Sequence, residues 1–304
     1  MNKATRRQLI KAVHGGNLEK VESLITQLRE RIQGEGDLKS TLLSVKDDSG
    51  GCLLHHCAES GHSDVLEFLL KMGMDVDARK NDAKTPLHEA CNRGNTEAAE
   101  VLIQWGALVD CHKTNGWTAL HYAAQSGNQH LVQTLIQQGA SINGSNKHGQ
   151  TALFLASREG HEGTVEVLLR AGAELESATQ TGSRPLLIAC RGGHLDTARC
   201  LIAAGSDLNV QDCCKHGPLQ QAAISGSVET FEFIQQLHVD TKIDYDSWAL
   251  EPEEKSQAVN VELSLAVEYG HTALVQYLLR GSCGGGGGGG GGEAGPGPEA
   301  AEAT

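Results

Sequence analysis

Fourteen histidines and nine cysteines in 304 residues are enough to build a metal centre or a nucleophilic site, so spacing decides which chemistry is open to them. The densest group, Cys213-Cys214-Lys215-His216, offers two thiols and an imidazole, all zinc-ligand types. A closed zinc site needs a fuller set, no second pair stands at ligand spacing, and the stretch reads as a turn. The Gly-Ser-Cys-Gly around Cys283 opens a glycine run and lacks the strand, turn and helix that present a nucleophile. Neither His-Glu-x-x-His nor a phosphate-cradling Gly-x-x-x-x-Gly-Lys occurs. The chain is therefore expected not to be an enzyme, with no catalytic residue, cofactor or metal.

The histidines instead keep step with a larger pattern. His55, His88 and His121 each follow a leucine, and His62, His161, His194 and His271 each follow a glycine. The clearest unit is Asn115-Gly-Trp-Thr-Ala-Leu-His-Tyr-Ala-Ala-Gln-Ser-Gly127, continued to Ala140. Asn115-Gly116 is a turn signal, and Thr118 can cap a first helix by accepting a backbone N–H. Leu120, Ala123 and Ala124 share one face of that helix, and Gly127 ends it in a left-handed conformation. A second helix carries Leu131, Val132, Leu135 and Ile136 as an apolar stripe until Gly139. Neither helix can bury its stripe alone.

Copies of the unit supply the missing partner. The first-helix leucine recurs as Leu54, Leu87, Leu120, Leu153, Leu186 and Leu219, and the second-helix core position as Leu69, Leu102, Leu135, Leu168, Leu201 and Ile234. The period is about 33 residues, the length of a repeat made of a turn and two antiparallel helices. Thr85-Pro-Leu-His-Glu-Ala-Cys91 and Thr118-Ala-Leu-His-Tyr-Ala-Ala124 resemble the hallmark of the ankyrin-repeat family, Thr-Pro-Leu-His-x-Ala-Ala, with looser versions at Cys52, Thr151, Arg184 and Gly217. The resemblance covers nearly everything from Leu9 to Gly281. It implies an all-α solenoid of about eight helix-turn-helix repeats joined by β-hairpin-like turns. It also implies that the histidines after the leucines bridge turn backbones of neighbouring repeats.

One array is expected rather than two domains, because a solenoid grows without a single core. Residues 1–47 read as a degenerate capping repeat with an extended helix and a loop at Gly34-Glu-Gly36; Leu9, Ala12, Gly16, Val21 and Leu24 fill its slots. Six regular repeats follow over 48–238. Residues 239–281 hold an acidic insertion with Tyr245 and Trp248, read as covering the edge of the array, with a contact surface as the alternative, and then a last capping repeat. The glycine-rich acidic tail over 282–304 cannot bury a core and is expected to be disordered.

A net charge of −13 without a compensating basic tract argues against nucleic acid and against an anionic membrane surface. No apolar run approaches the roughly 18 residues of a membrane span, and the start of the chain lacks a signal-peptide core. Cys57, Cys91 and Cys190 stand where the repeat takes a small buried residue, and the odd cysteine count fits a reducing compartment. A monomer in the cytoplasm, the nucleus or both is expected.

The resemblance implies work by partner binding along a concave groove lined by turn tips and by the first helices' outward face. On that helix, the residue after the histidine slot reads as outward: His56, Glu89, Tyr122, Leu155, Ile188 and Gln221. The residue one turn later is Glu59, Asn92, Gln125, Arg158, Arg191 and Ile224, and the turn residue before the cap is Gly51, Lys84, Trp117, Gln150, Ser183 and His216. Trp117, Tyr122, Leu155, Arg158, Ile188 and Arg191 then cluster on the middle repeats, with the aromatic and arginine types that dominate interface energetics. They point to an extended or helical partner segment of acidic character. Trp117 has a second reading, as a shield for its own hairpin. The expected function is an adaptor, a scaffold or an occluding inhibitor; the alternative is a substrate-recruiting subunit of a ubiquitin ligase or a piece of a larger signalling enzyme.

Overall fold

A computed structural model describes residues 3–31, 38–240 and 255–283. The loop at Gly34–Gly36, the segment holding Tyr245 and Trp248, and the glycine tail lie outside the described residues. Seventeen helices lie within them, and all but one fall into pairs. The pairs are α1 (Lys3–His14) with α2 (Leu18–Arg31), α4 (Leu53–Ser60) with α5 (Ser63–Lys71), α6 (Pro86–Arg93) with α7 (Thr96–Gln104) and α8 (Ala119–Gln125) with α9 (Gln129–Gln137). They continue as α10 (Ala152–Glu159) with α11 (Glu162–Arg170), α12 (Pro185–Arg191) with α13 (Leu195–Ala203), α14 (Pro218–Ser225) with α15 (Val228–Asp240) and α16 (Lys255–Glu268) with α17 (Thr272–Cys283). The unpaired α3 (Leu38–Leu43) fills the longer interval between the first two pairs and buries Leu42.

Helices this short are unstable alone, and stacking is what holds them. First helices pack on first helices from α1 through α4 to α16, and second helices pack on second helices from α2 through α5 to α17. The repeating leucines form the seam between the rows: Leu87, Leu120, Leu153 and Leu186 are 1 % exposed, and their second-helix counterparts are fully buried. A small residue four places after each first-helix leucine lets neighbours approach closely; Ala58, Cys91, Ala124, Ser157, Cys190 and Ala223 are all fully buried there. In the first pair Leu9, Ala12 and Val21 are buried, Leu24 is half-buried and packed against the core, and Ile25 beside it is buried as well.

Six turns between pairs close identically. Each is a short hairpin in which the first residue's N–H donates to the carbonyl four residues on: Asp47 to Gly51, Lys80 to Lys84, Lys113 to Trp117, Asn146 to Gln150, Thr179 to Ser183 and Asp212 to His216, at 2.8–3.1 Å. Adjacent hairpins are stitched by one rung each, from Asn81 N–H to Ser49 O through to Cys213 N–H to Thr181 O. The hairpins thus form a continuous row beside the first helices.

Candidate functional site

The hairpin row and the first helices meet at one recurrent contact. In four of the six regular repeats the first hairpin residue lies against the helix residue nine places later. Lys80 Nζ is 2.7 Å from Glu89 Oε1, Lys113 Nζ is 3.3 Å from the Tyr122 hydroxyl, and Gln221 Nε2 donates to Asp212 Oδ2 at 2.7 Å. Asp47 Oδ2 lies 3.2 Å from His56 Nε2. In these repeats the hairpin therefore closes over the slot that helix geometry alone makes outward.

That placement corrects part of the expected groove. Leu155 is fully buried and presents nothing to a partner; Tyr122 is 7 % exposed, Glu89 5 % and Gln221 2 %. Helix geometry alone points these side chains away from the leucine seam, but it does not include the hairpin that folds back over them. Ile188 stays half-buried, Arg158 half-buried and Arg191 exposed. Trp117 is half-buried, its ring centre 4.8 Å from that of Tyr122 and 5.9 Å from that of His121. The ring thus packs against the start of α8 and keeps part of its surface exposed.

Around Tyr122 the structure assembles a group larger than the one read from sequence. Lys84 Nζ sits 4.9 Å from the Tyr122 ring centre, in cation–π range. The same ammonium is 2.8 Å from Glu89 Oε2, so Glu89 lies between two lysines. Burial pushes the Glu89 carboxyl up, but hydrogen bonds and charge from Lys80 and Lys84 outweigh it and hold the group below its ordinary value. Lys113 also reaches Asp82 Oδ2 at 3.3 Å. Burial lowers that ammonium's pKa, and the Tyr122 hydroxyl and Asp82 more than reverse this, so Lys113 stays charged. Lys80 and Lys113 were missed in the sequence reading. Their signal was the shared slot at the start of consecutive hairpins.

Arg158 and Arg191 continue the positive character along the row. The Arg158 guanidinium pairs with Glu159 at 2.8 Å, and its carbonyl accepts from His194 Nε2 at 3.0 Å. Arg191 has no ion pair among the described residues. The structure thus joins Trp117 and Tyr122 ring to ring and sets Ile188, Arg158 and Arg191 on the next two first helices of the row.

No group of metal-ligating side chains forms a metal site among the described residues, and none of their helices is long and apolar enough to cross a membrane. Seven of the fourteen histidines are engaged in joints between repeats. His55, His88 and His121 reach the next hairpin's last carbonyl at 2.9–3.1 Å. His62, His161, His194 and His271 reach a first-helix carbonyl of the preceding repeat at 2.7–3.1 Å. These bonds are what the family resemblance implied for the first set.

No curated protein matches this sequence. Among solved structures, the crystal structure of the ankyrin repeat domain of Bcl-3, described as a unique member of the IkappaB protein family, is similar at 25% identity and a TM-score of 0.59. The match covers 75% of this chain and 97% of that one. A family model for ankyrin repeats in three copies matches residues 9–112, 106–179 and 171–247. The helix pairs, the hairpin row and the imidazole joints are those of a protein-interaction fold, and this chain belongs to the ankyrin repeat family.

Proposed function

We propose that this chain is a monomeric interaction module, acting as adaptor, scaffold or occluding inhibitor, that takes an acidic extended or helical segment of another protein along its hairpin row. One observation carries the reading: positive and aromatic side chains concentrate on successive repeats of a chain whose net charge is −13. Lys80, Lys84, Lys113 and Trp117 form one group around the buried Tyr122, followed by Ile188 and the exposed Arg191. Aromatic anchors beside cations are the residue types that concentrate binding energy, while charge around them sets encounter rate and partner choice.

The test is capture of partners from cell lysate by three proteins: the wild-type chain, a Trp117→Ala/Arg158→Glu/Arg191→Glu variant, and a Trp105→Ala control. Trp105 is 42 % exposed at the end of a second helix, away from the hairpins. Proteins lost with the triple variant, kept with the control and released as salt rises through the physiological range support the reading. An unchanged set, with circular dichroism showing the variant folded, removes the hairpin row as the contact face.

A further inference from the structure

The tip of the hairpin before α14 carries two adjacent thiols that the interaction reading does not use. Cys213 and Cys214 are the exposed cysteines among those described; Cys52, Cys57, Cys91, Cys111 and Cys190 are buried and Cys200 is half-buried. Burial pushes Cys91 and Cys190 up to about 12, which removes them from thiol exchange near neutral pH. At the tip the two sulfurs face each other at 4.0 Å. The backbone that holds them is organised: the Asp212 carboxylate accepts N–H bonds from Cys214 at 2.8 Å and His216 at 3.0 Å, and Cys213 N–H makes the last rung to Thr181 O at 3.1 Å. Lys215 beside them sits at φ +61°, where the equivalent hairpins before α4, α8, α10 and α12 have glycine.

We propose that Cys213 and Cys214 form a dithiol site that small disulfides such as glutathione disulfide oxidise selectively and reversibly, closing a bond between the two neighbours. One cysteine thiolate attacks a glutathione sulfur, forming a mixed disulfide and releasing one glutathione thiolate. The second cysteine, as thiolate, attacks the protein sulfur of that mixed disulfide and releases the other glutathione. The sum is one dithiol and one glutathione disulfide giving one protein disulfide and two glutathiones, with the two thiol protons leaving on the products. Among the cysteines whose side chains are described, access selects this pair. Geometry makes the bond labile: neighbouring Cα atoms lie about 3.8 Å apart across a trans peptide, below the roughly 4.4–6.8 Å usual for disulfides. A strained bond of this kind is strongly oxidising, so it closes only in excess disulfide and reopens with thiol. Closure must also bend the peptide whose neighbour makes the Cys213–Thr181 rung.

The experiment incubates the full chain with glutathione disulfide, alkylates the remaining thiols and maps peptides by mass spectrometry, with and without later dithiothreitol. The expected result is loss of two hydrogens from the peptide holding Cys213 and Cys214, protection of both from alkylation, and full reversal by dithiothreitol. The Cys214→Ser variant should instead accumulate one glutathione on Cys213, because nothing resolves the adduct. A wild-type chain that stops at the mixed disulfide, or that oxidises first at another cysteine, overturns the proposal. So does a bond that dithiothreitol leaves closed.

Discussion

The first three regular repeats and the last three make the same joint with different chemistry. In the first three, a neutral imidazole joins cap to hairpin. Nδ1 of His55, His88 and His121 accepts from the cap residue's N–H at 3.2 Å, which leaves Nε2 to donate to the next hairpin's last carbonyl. In the last three the same position holds Phe154, Leu187 and Gln220. Phe154 and Leu187 fill the space with apolar volume, at 4 % and zero exposure. Gln220 reproduces one of the imidazole's contacts, accepting from Gly217 N–H at 3.0 Å, and donates to the Glu262 carboxylate at 2.8 Å instead of to a hairpin carbonyl. Six hairpins nonetheless close alike. The fold fixes the shape of the joint and leaves its chemistry free, and that chemistry decides how each half answers acid.

The largest expected effect is therefore a pH gradient along the array. Burial is the first cause that lowers the pKa of His55, His88 and His121 from 6.5 to about 4. The unfolded chain takes up these protons below about 6.5 while the folded chain refuses them until about 4. Stability from these joints is then complete above that window and falls through it, by up to about 1.4 kcal/mol per pH unit for each histidine. Glu262 runs the other way: burial raises its carboxyl, so its joint is strongest below the ordinary carboxylate range and weakens as pH rises through the shifted value. Amide exchange at pH 7.5 and 5, corrected for intrinsic rates, should show α4, α6 and α8 losing protection on acidification while α10 and α12 hold theirs. Phe154→His should extend the acid-sensitive stretch by one repeat. Uniform loss along the array would mean that the imidazole joints are not what responds.

Removing the joint outright is next in size. His121→Ala strands the Thr118 N–H and the Gln150 carbonyl in a buried place, which costs about 2–4 kcal/mol. Leu187→Ala leaves a cavity at a fully buried site and costs about 2–5 kcal/mol. The two are separated by rescue rather than by size. His121→Gln should recover part of the loss, as Gln220 shows an amide accepting the cap residue's N–H, whereas Leu187→Gln should be worse than Leu187→Ala. Urea unfolding of the four variants checks this, and equal behaviour of the two glutamines would erase the distinction between halves.

The period of the leucines, the capping threonines and the helix-ending glycines made the fold legible, because each is a local answer to a backbone demand repeated every unit. The site was legible only in part. Trp117, Ile188, Arg158 and Arg191 keep some exposed area where the repeat register put them, yet Leu155 and Tyr122 do not. Tyr122 is covered by a contact between residues nine apart in a hairpin and a helix, and helical periodicity carries no information about it. Lys80 and Lys113 could have been found by reading charge down that hairpin column.

The smallest effect lies in the same column, three residues into each hairpin. Gly50, Gly116, Gly149 and Gly182 take φ of 72–81° there, while Ala83 and Lys215 hold 65° and 61° with a Cβ attached. An L-residue with a side chain is disfavoured in that region by roughly 1–2 kcal/mol, and the extra freedom of an unfolded glycine offsets part of it. Ala83→Gly should thus stabilise the chain by about 0.5 kcal/mol, and Lys215→Gly by a similar amount. The reverse change at Gly116 should cost more than either gain, because a Cβ there would lie 3.1 Å from Lys147 N and 3.2 Å from Asn146 Cα. Thermal unfolding of the three variants decides it: a rise for both glycines and a fall for Gly116→Ala means the hairpin column tolerates strain in two places. A fall for Ala83→Gly would show that the backbone before α6 gains more from its methyl than it loses to the left-handed turn.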